Sequence, residues 1–266
     1  MNTFLDNKIL LIGDVHGRTN WQKVADTSKY DLTIFMGDYF DPYDVSLVDG
    51  MYDNFERIIK MKHENPEKVI LLIGNHDLHY MYNEFGECSR YSTNTQYKYG
   101  KKLRELKEEG FMQLAYMIDN YLFIHAGASL MWLRNRIFRI EDESGNFKLF
   151  GTREEVAKYP LTDDEKSQLL ERLNETKPLY LSFDSGPTWD IYGMWPGQTP
   201  VWIRPSGLIE NSPEGIVQVI GHTQMKEKPQ FVNERGTKFF MCDNGEYYTE
   251  IIDGEFIVKK YEEQDS

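Results

Sequence analysis

One pattern occurs three times in the first third of the chain: consecutive apolar residues, then glycine, then polar residues able to bind ligands. The segments are KILLIGDVHG (8–17), LTIFMGDYFD (32–41) and VILLIGNHD (69–77). Runs this short, apolar at every position and rich in Ile, Leu and Val, predict strands buried on both faces of a largely parallel sheet. Apolar stripes between them, Trp21 with Val24 and Ala25 and then Phe55 with Ile58 and Ile59, predict intervening helices and an α/β class. Further on, QLAYMI (113–118) and YLFIHAG (121–127) flank an Asp119-Asn120 turn, and VQVIGHT (217–223) ends as the first three segments do. The tail, with KFFMCD (238–243), EYYTEII (246–252) and EFIVKK (255–260), predicts antiparallel strands closing a second sheet.

Two stretches stand outside this repeating core. Residues 83–110 are polar and tyrosine-rich, and residues 139–200 contain a Thr162-x-x-Glu165 capping box that opens a helix. Both are expected to be insertions over the site of a single domain spanning 1–266. The second runs into Pro187, Trp189, Trp195, Pro196 and Pro200, which suits either a pocket wall or packing on the body.

Composition narrows the class further. At 266 residues the chain can bury a sizeable core, and 40% hydrophobic with 27% charged residues is ordinary for a globular protein. A net charge of -13 opposes binding to phosphate backbones or anionic lipid, so nucleic acid is an unfavoured partner. Cys88 and Cys242 form no close pair, which predicts free thiols in a reducing compartment. With no basic leader before an apolar stretch and no long apolar run, the expectation is a cytoplasmic protein without a membrane span.

The strand-end groups are Asp14, His16, Asp38, Asn75, His76, Asp77, His125 and His222. In α/β sheets ligands gather beyond the carboxyl ends of strands, where all of these fall. Each motif alone also fits a bland role, a helix-capping Asp or a hydrogen-bonded histidine at a strand end. Joint occurrence shifts the balance, because four of six histidines sit at such exits. Of the others, His63 lies in a charged segment and His79 fits either support for the site or surface. Carboxylate plus imidazole without thiolate suits Mn, Fe or Zn, and the number of groups exceeds what one ion needs. Two ions are the economical reading, with Asp38 on the middle strand able to bridge them.

GDVHG, GDYFD, GNHD, HAG and GHT, in this order and separation, resemble the calcineurin-like metallophosphoesterases. Gln224 in place of a second histidine after GHT, together with VWIRPSG (201–207), makes the chain similar to the protein-phosphatase and diadenosine-tetraphosphatase branch. The resemblance implies a four-layer αββα sandwich of two mixed β-sheets flanked by helices. It implies that Asp14 and His16 hold a first metal, that Asp38 bridges, and that Asn75, His125 and His222 hold a second. It further implies His76 as general acid with Asp77 orienting its ring, and substrate contacts from Arg204 and Asn75. The branch's Asp-Arg-Gly is here Asp41-Pro42-Tyr43, so one phosphate-clamping arginine is missing. Arg18 and Arg90 are candidates to replace it, or are surface ion pairs.

The resulting expectation is a phosphatase (EC 3.1.-.-) for phosphomonoesters, acting by in-line attack of a metal-bridging hydroxide, with Mn, Fe or Zn as cofactor. Its substrate is a small phosphorylated molecule or a phosphoprotein. Hydrolysis of nucleotides or dinucleoside polyphosphates is the alternative, since the stretch from Trp189 to Trp202 suits base stacking. An inactive binding scaffold is the reading from another class, and it has no chemical need for His76.

Overall fold

The structure, a computed structural model, describes residues 3–82, 84, 86–183, 187 and 190–262. Among these, two mixed sheets stack face to face. In the first, β1 (Ile9–Ile12), β2 (Leu32–Phe35), β3 (Val69–Leu72) and β4 (Met112–Gln113) run parallel, with Ile9 opposite Leu32 and Thr33 opposite Val69. In the second, β6 (Tyr121–Ile124), β7 (Val217–Ile220) and β9 (Thr237–Met241) are parallel, with β5 (Ala115–Ile118) and β8 (Gln230–Glu234) antiparallel at the edges. Its strand order is β5-β6-β7-β9-β8. The last two strands, β10 (Tyr247–Ile252) and β11 (Glu255–Lys260), complete the first sheet in the order β11-β10-β1-β2-β3-β4.

Strand alternation explains why these runs, Thr33 excepted, are apolar. Ile9, Leu11, Ile34, Met36, Ile70 and Leu72 face the second sheet's Phe123, Val219 and Phe240. The intervening Leu10, Ile12, Phe35 and Leu71 belong instead to the core that includes Phe55, Ile58 and Ile59 of α1 (Met51–Glu64) and Leu103 of α3 (Thr93–Glu108), the helix that follows α2 (Asn75–Met81). Each such buried Ile or Leu contributes about 1.5–3 kcal/mol, so every strand residue has a reason to be apolar. On the other side α4 (Leu130–Arg136), the short α5 (Arg153–Val156) and α6 (Asp163–Asn174) contribute Trp132, Leu133, Val156, Leu169 and Leu173 to the same core, completing four layers. The Thr162–Glu165 capping box opens α6 as the sequence indicates. No helix among the described residues is long and apolar enough to cross a membrane.

Several local expectations are corrected. The Trp21 stripe forms only a 3-10 turn, Asn20–Lys23. QLAYMI is not one strand, because the chain leaves the first sheet after Gln113 and enters the second at Ala115. Of the tail, only β9 lies in the second sheet; β10 and β11 extend the first by antiparallel pairing, with Ile9 opposite Ile251. Most of 83–110 is a flanking helix, Thr93–Glu108, with Tyr99, Leu103 and Leu106 in the core, rather than a cover over the site. Trp189 lies outside the described residues.

Candidate active site

Six of the seven parallel strands, β1, β2, β3, β6, β7 and β9, deliver polar groups just past their carboxyl ends: Asp14, Asp38, Asn75, His125, His222 and Asp243. Close packing of these loops demands glycine. A Cβ on Gly74 would collide with the Asp38 side chain, and one on Gly221 would collide with Asp14. His16, Asp38 and His222 sit at φ 43°, 54° and 61°, left-handed conformations costly for such residues and held by the surrounding backbone. The His222 N–H donates to Asp14 Oδ2 (3.0 Å) and the His76 N–H to Asp38 Oδ1 (2.8 Å), tying the two sheets' loops to the carboxylates.

Hydrogen bonds fix which ring nitrogen is free. A carbonyl can only accept, so His16 Nδ1–H donates to Phe40 O (2.8 Å), His125 Nδ1–H to Met36 O (2.8 Å) and His222 Nε2–H to Trp202 O (3.2 Å). The remaining lone pairs turn inward. His16 Nε2 lies 3.5 Å from Asp38 Oδ2, and His125 Nε2 lies 3.5 Å from Asp38 Oδ1. His125 Nε2 and His222 Nδ1 lie 3.0 and 2.8 Å from Asn75 Oδ1, whose amide nitrogen is turned away toward Cys88 Sγ (3.1 Å). Acceptors thus face acceptors at hydrogen-bonding distance, an arrangement that a cation reconciles and that neutral hydrogen bonding does not.

Electrostatics agree with that fit. Burial pushes the His16 ring down to about 3 against the pull of Asp38, and holds His125 below and His222 well below the usual imidazole range. The rings therefore resist protonation and keep a lone pair to offer. Burial, reinforced by the Asp243 and Asp38 charges, raises the Asp14 carboxyl well above the usual carboxylate range. Burial raises Asp38 too, but the charges of the surrounding histidines, His125 first, outweigh it and hold that carboxyl far down. Asp38, His125 and His222 have donor atoms within 4.8 Å of one another, and so do Asp14, His16 and Asp38. Asp38 belongs to both groups, and the donors are oxygen and imidazole, suited to divalent transition ions. These residues fit two metal ions.

A third group within the same limit is Asp41, His76 and His79. His76 Nδ1 donates to Asp41 Oδ2 at 2.7 Å. Cys88 N–H donates to His79 Nδ1 (3.1 Å), so a neutral His79 carries its proton on Nε2, 2.9 Å from the same Asp41 oxygen. Tyr80 OH donates to Asp41 Oδ1. Burial alone would raise Asp41, but these imidazole and hydroxyl partners outweigh it and hold the carboxyl below its ordinary value.

The expected role of Asp77 is corrected here. Its carboxylate accepts the backbone N–H groups of Asp38 (2.8 Å), Tyr39 (2.9 Å) and Gly74 (2.8 Å), clamping the β2 loop to the start of α2; the carboxylate on the His76 ring is Asp41. Arg18 is corrected as well. It donates to the Asp14 carbonyl, stands 4.0 Å from Asp243, and is packed by Gly245, where a Cβ would approach its Cζ to 2.8 Å. Its guanidinium braces the Asp14 loop. Arg204 is anchored through Nη1 to His222 O (3.1 Å) and Thr223 Oγ1 (3.2 Å), and lies close enough to Asp14 and Asp38 to feel their charges. Gln224 is exposed.

Two site residues escaped the sequence reading. Asp41 is the second aspartate of GDYFD, and Asp243 ends the apolar run FFMC in the same grammar as the other strand exits. Burial and the nearby Asp38 charge push Asp243 up to about 6 despite Arg18. A carboxyl raised on folding contributes stability that is present at low pH and lost as pH rises through its folded value. Metal-free wild type is therefore expected to lose melting temperature relative to Asp243→Asn between pH 4 and 7. Thermal denaturation of both proteins across that range is the check, and a constant difference would contradict the assignment.

Comparison with known proteins agrees with the geometry. The family model described as calcineurin-like phosphoesterase matches residues 7–223. The catalytic subunit of serine/threonine-protein phosphatase 6 from Drosophila melanogaster is 29% identical over 130 residues, 46% of this chain and 40% of that protein. The match thus spans well under half of that relative's length. A protein serine/threonine phosphatase from Saccharomyces cerevisiae, with similarity to human phosphatase PP5, superposes with TM-score 0.54 at 13% identity over 97% of this chain and 81% of that one. A point mutant of a cold-active protein tyrosine phosphatase gives 0.53 at 16% identity over 96% and 78%. At such identities these structures are similar in fold.

Proposed function

The chain belongs to the calcineurin-like phosphoesterase family, and from that premise we propose that it hydrolyses phosphoric esters as a two-metal phosphomonoesterase with His76 as general acid. The observation that carries this is the ring of lone pairs and carboxylates around Asp38, beside a histidine whose other nitrogen is held by Asp41. Divalent ions held there, Mn with Fe or Zn as alternatives, supply Lewis acidity toward phosphoryl oxygens and a water nucleophile at neutral pH. Asp38 lies between Asp14 and His16 on one side and Asn75, His125 and His222 on the other. Asp41 fixes the His76 ring so that Nε2 is the atom left to protonate the departing oxygen, its ring 5.1 Å from that of His16. Arg204, pinned to the His222 carbonyl, offers its free terminal nitrogen to a phosphoryl oxygen.

Protein stripped with EDTA and resupplied with Mn²⁺ is expected to regain hydrolysis of 4-nitrophenyl phosphate, and to cleave the bis(4-nitrophenyl) diester more slowly. Folded, metal-loaded protein that turns over neither ester would refute the proposal. A nucleotide substrate is the second reading, favoured by the half-buried Trp202, whose ring lies 5.6 Å from that of His222, within reach for base stacking. Preference for a dinucleoside polyphosphate over the aryl monoester would select it.

A further inference from the structure

Arg90 is exposed yet rigidly placed. Its neighbours are pinned: Cys88 lies buried against Asn75 and His79, and Tyr91 stacks on Tyr80 at 5.3 Å. Arg90 itself takes a left-handed φ of 66° and donates Nε–H to the Asp41 carbonyl (3.0 Å). Its guanidinium carbon lies 3.6 Å from the centroid of the Tyr43 ring. Tyr43 in turn stands edge-on to His16, centroids 4.9 Å apart at 83°. One aromatic ring thus joins the His16 ring to the Arg90 guanidinium beside the site. Neither Nη atom of Arg90 has a partner among the described residues. A strained backbone, a backbone anchor and an aromatic bed together hold this fork out of rotamer exchange, as a preorganised anion grip would require.

We infer that Arg90, stacked on Tyr43, is the guanidinium that grips the terminal oxygens of the substrate's phosphoryl group opposite Arg204, favouring dianionic monoesters over singly charged diesters. This rests on the phosphomonoesterase reading above. A monoester offers three unesterified oxygens and two charges, enough for two guanidiniums beside the metal ligands. A diester offers two oxygens and one charge, and gains less from a second guanidinium.

The test compares wild type with R90A, R90K, Y43A and Y43F, all at exposed positions that leave the core intact. For 4-nitrophenyl phosphate, R90A is expected to raise KM about tenfold or more with kcat changed about threefold at most. R90K should recover little, because an ammonium has neither the fork nor the stacking plane. Y43A should follow R90A, whereas Y43F keeps the aromatic bed and stays near wild type. The monoester-to-diester ratio of kcat/KM should fall in R90A. Calorimetric titration of the metal-loaded proteins with orthophosphate reads the same grip without turnover, and R90A should bind about tenfold more weakly. Active wild type with unchanged KM and phosphate affinity in R90A would overturn the inference and leave the proposed activity standing. Inactive wild type would overturn that activity, while the orthophosphate titration would still decide the role of Arg90.

Discussion

Asp38→Asn is expected to lower aryl phosphate turnover about a thousandfold, roughly the 4 kcal/mol that Lewis-acid stabilisation contributes to the transition state. The reason is its position: Asp38 stands 3.5 Å from both His16 and His125, and it is shared by the two donor groups. An asparagine keeps the shape and the acceptor for the His76 N–H but removes the charge that offsets two cations. Elemental analysis should find less than two equivalents of bound metal, and added Mn²⁺ should no longer raise the melting temperature. The metal-free variant should still fold, since an asparagine keeps the acceptor for the His76 N–H. Full metal content and near-normal turnover in this variant would remove Asp38 from the site.

The second large effect concerns proton delivery. His76→Ala should reduce kcat by about a hundredfold to ten-thousandfold, the range that general acid catalysis contributes. The loss should be greater for alkyl phosphates, whose leaving oxygens need the proton, than for nitrophenyl phosphate. Asp41→Asn should reproduce part of this loss, because Asp41 holds the His76 ring at 2.7 Å. Asp77→Asn should act mainly on folding, lowering the melting temperature by weakening acceptors for three buried N–H groups. Equal losses in His76→Ala for both leaving-group classes would argue against a proton-donating role.

Comparison of Asp41 with Asp77 shows how far local pattern reaches. Both are buried and both follow a strand exit in sequence. Adjacency to His76 favours Asp77, yet the first turn of α2 points the Asp77 carboxylate back at the β2 loop, where it caps N–H groups. The ring partner comes from a residue 35 positions away, brought near by the parallel pairing of β2 and β3. Arg18 and Asp243 repeat the lesson, since their contact joins positions at opposite ends of the chain. The tail strands do so at the level of topology. Alternating or continuous apolar residues mark them as strands, but the open edge they pair with depends on the assembled sheets, and β10 found the free edge of β1.

The sequence by itself determined the parts that depend on neighbours along the chain. Continuous Ile, Leu and Val runs specify doubly buried strands, glycine after each permits the close approach of loops, and the next residues are the ligand donors at strand exits. Only the tertiary structure decided which donors face one another, which carboxylate holds His76, and which arginine projects from the mouth of the site and which braces it from behind. Those choices are made by side-chain direction and by pairing between strands distant in sequence, which no local periodicity encodes.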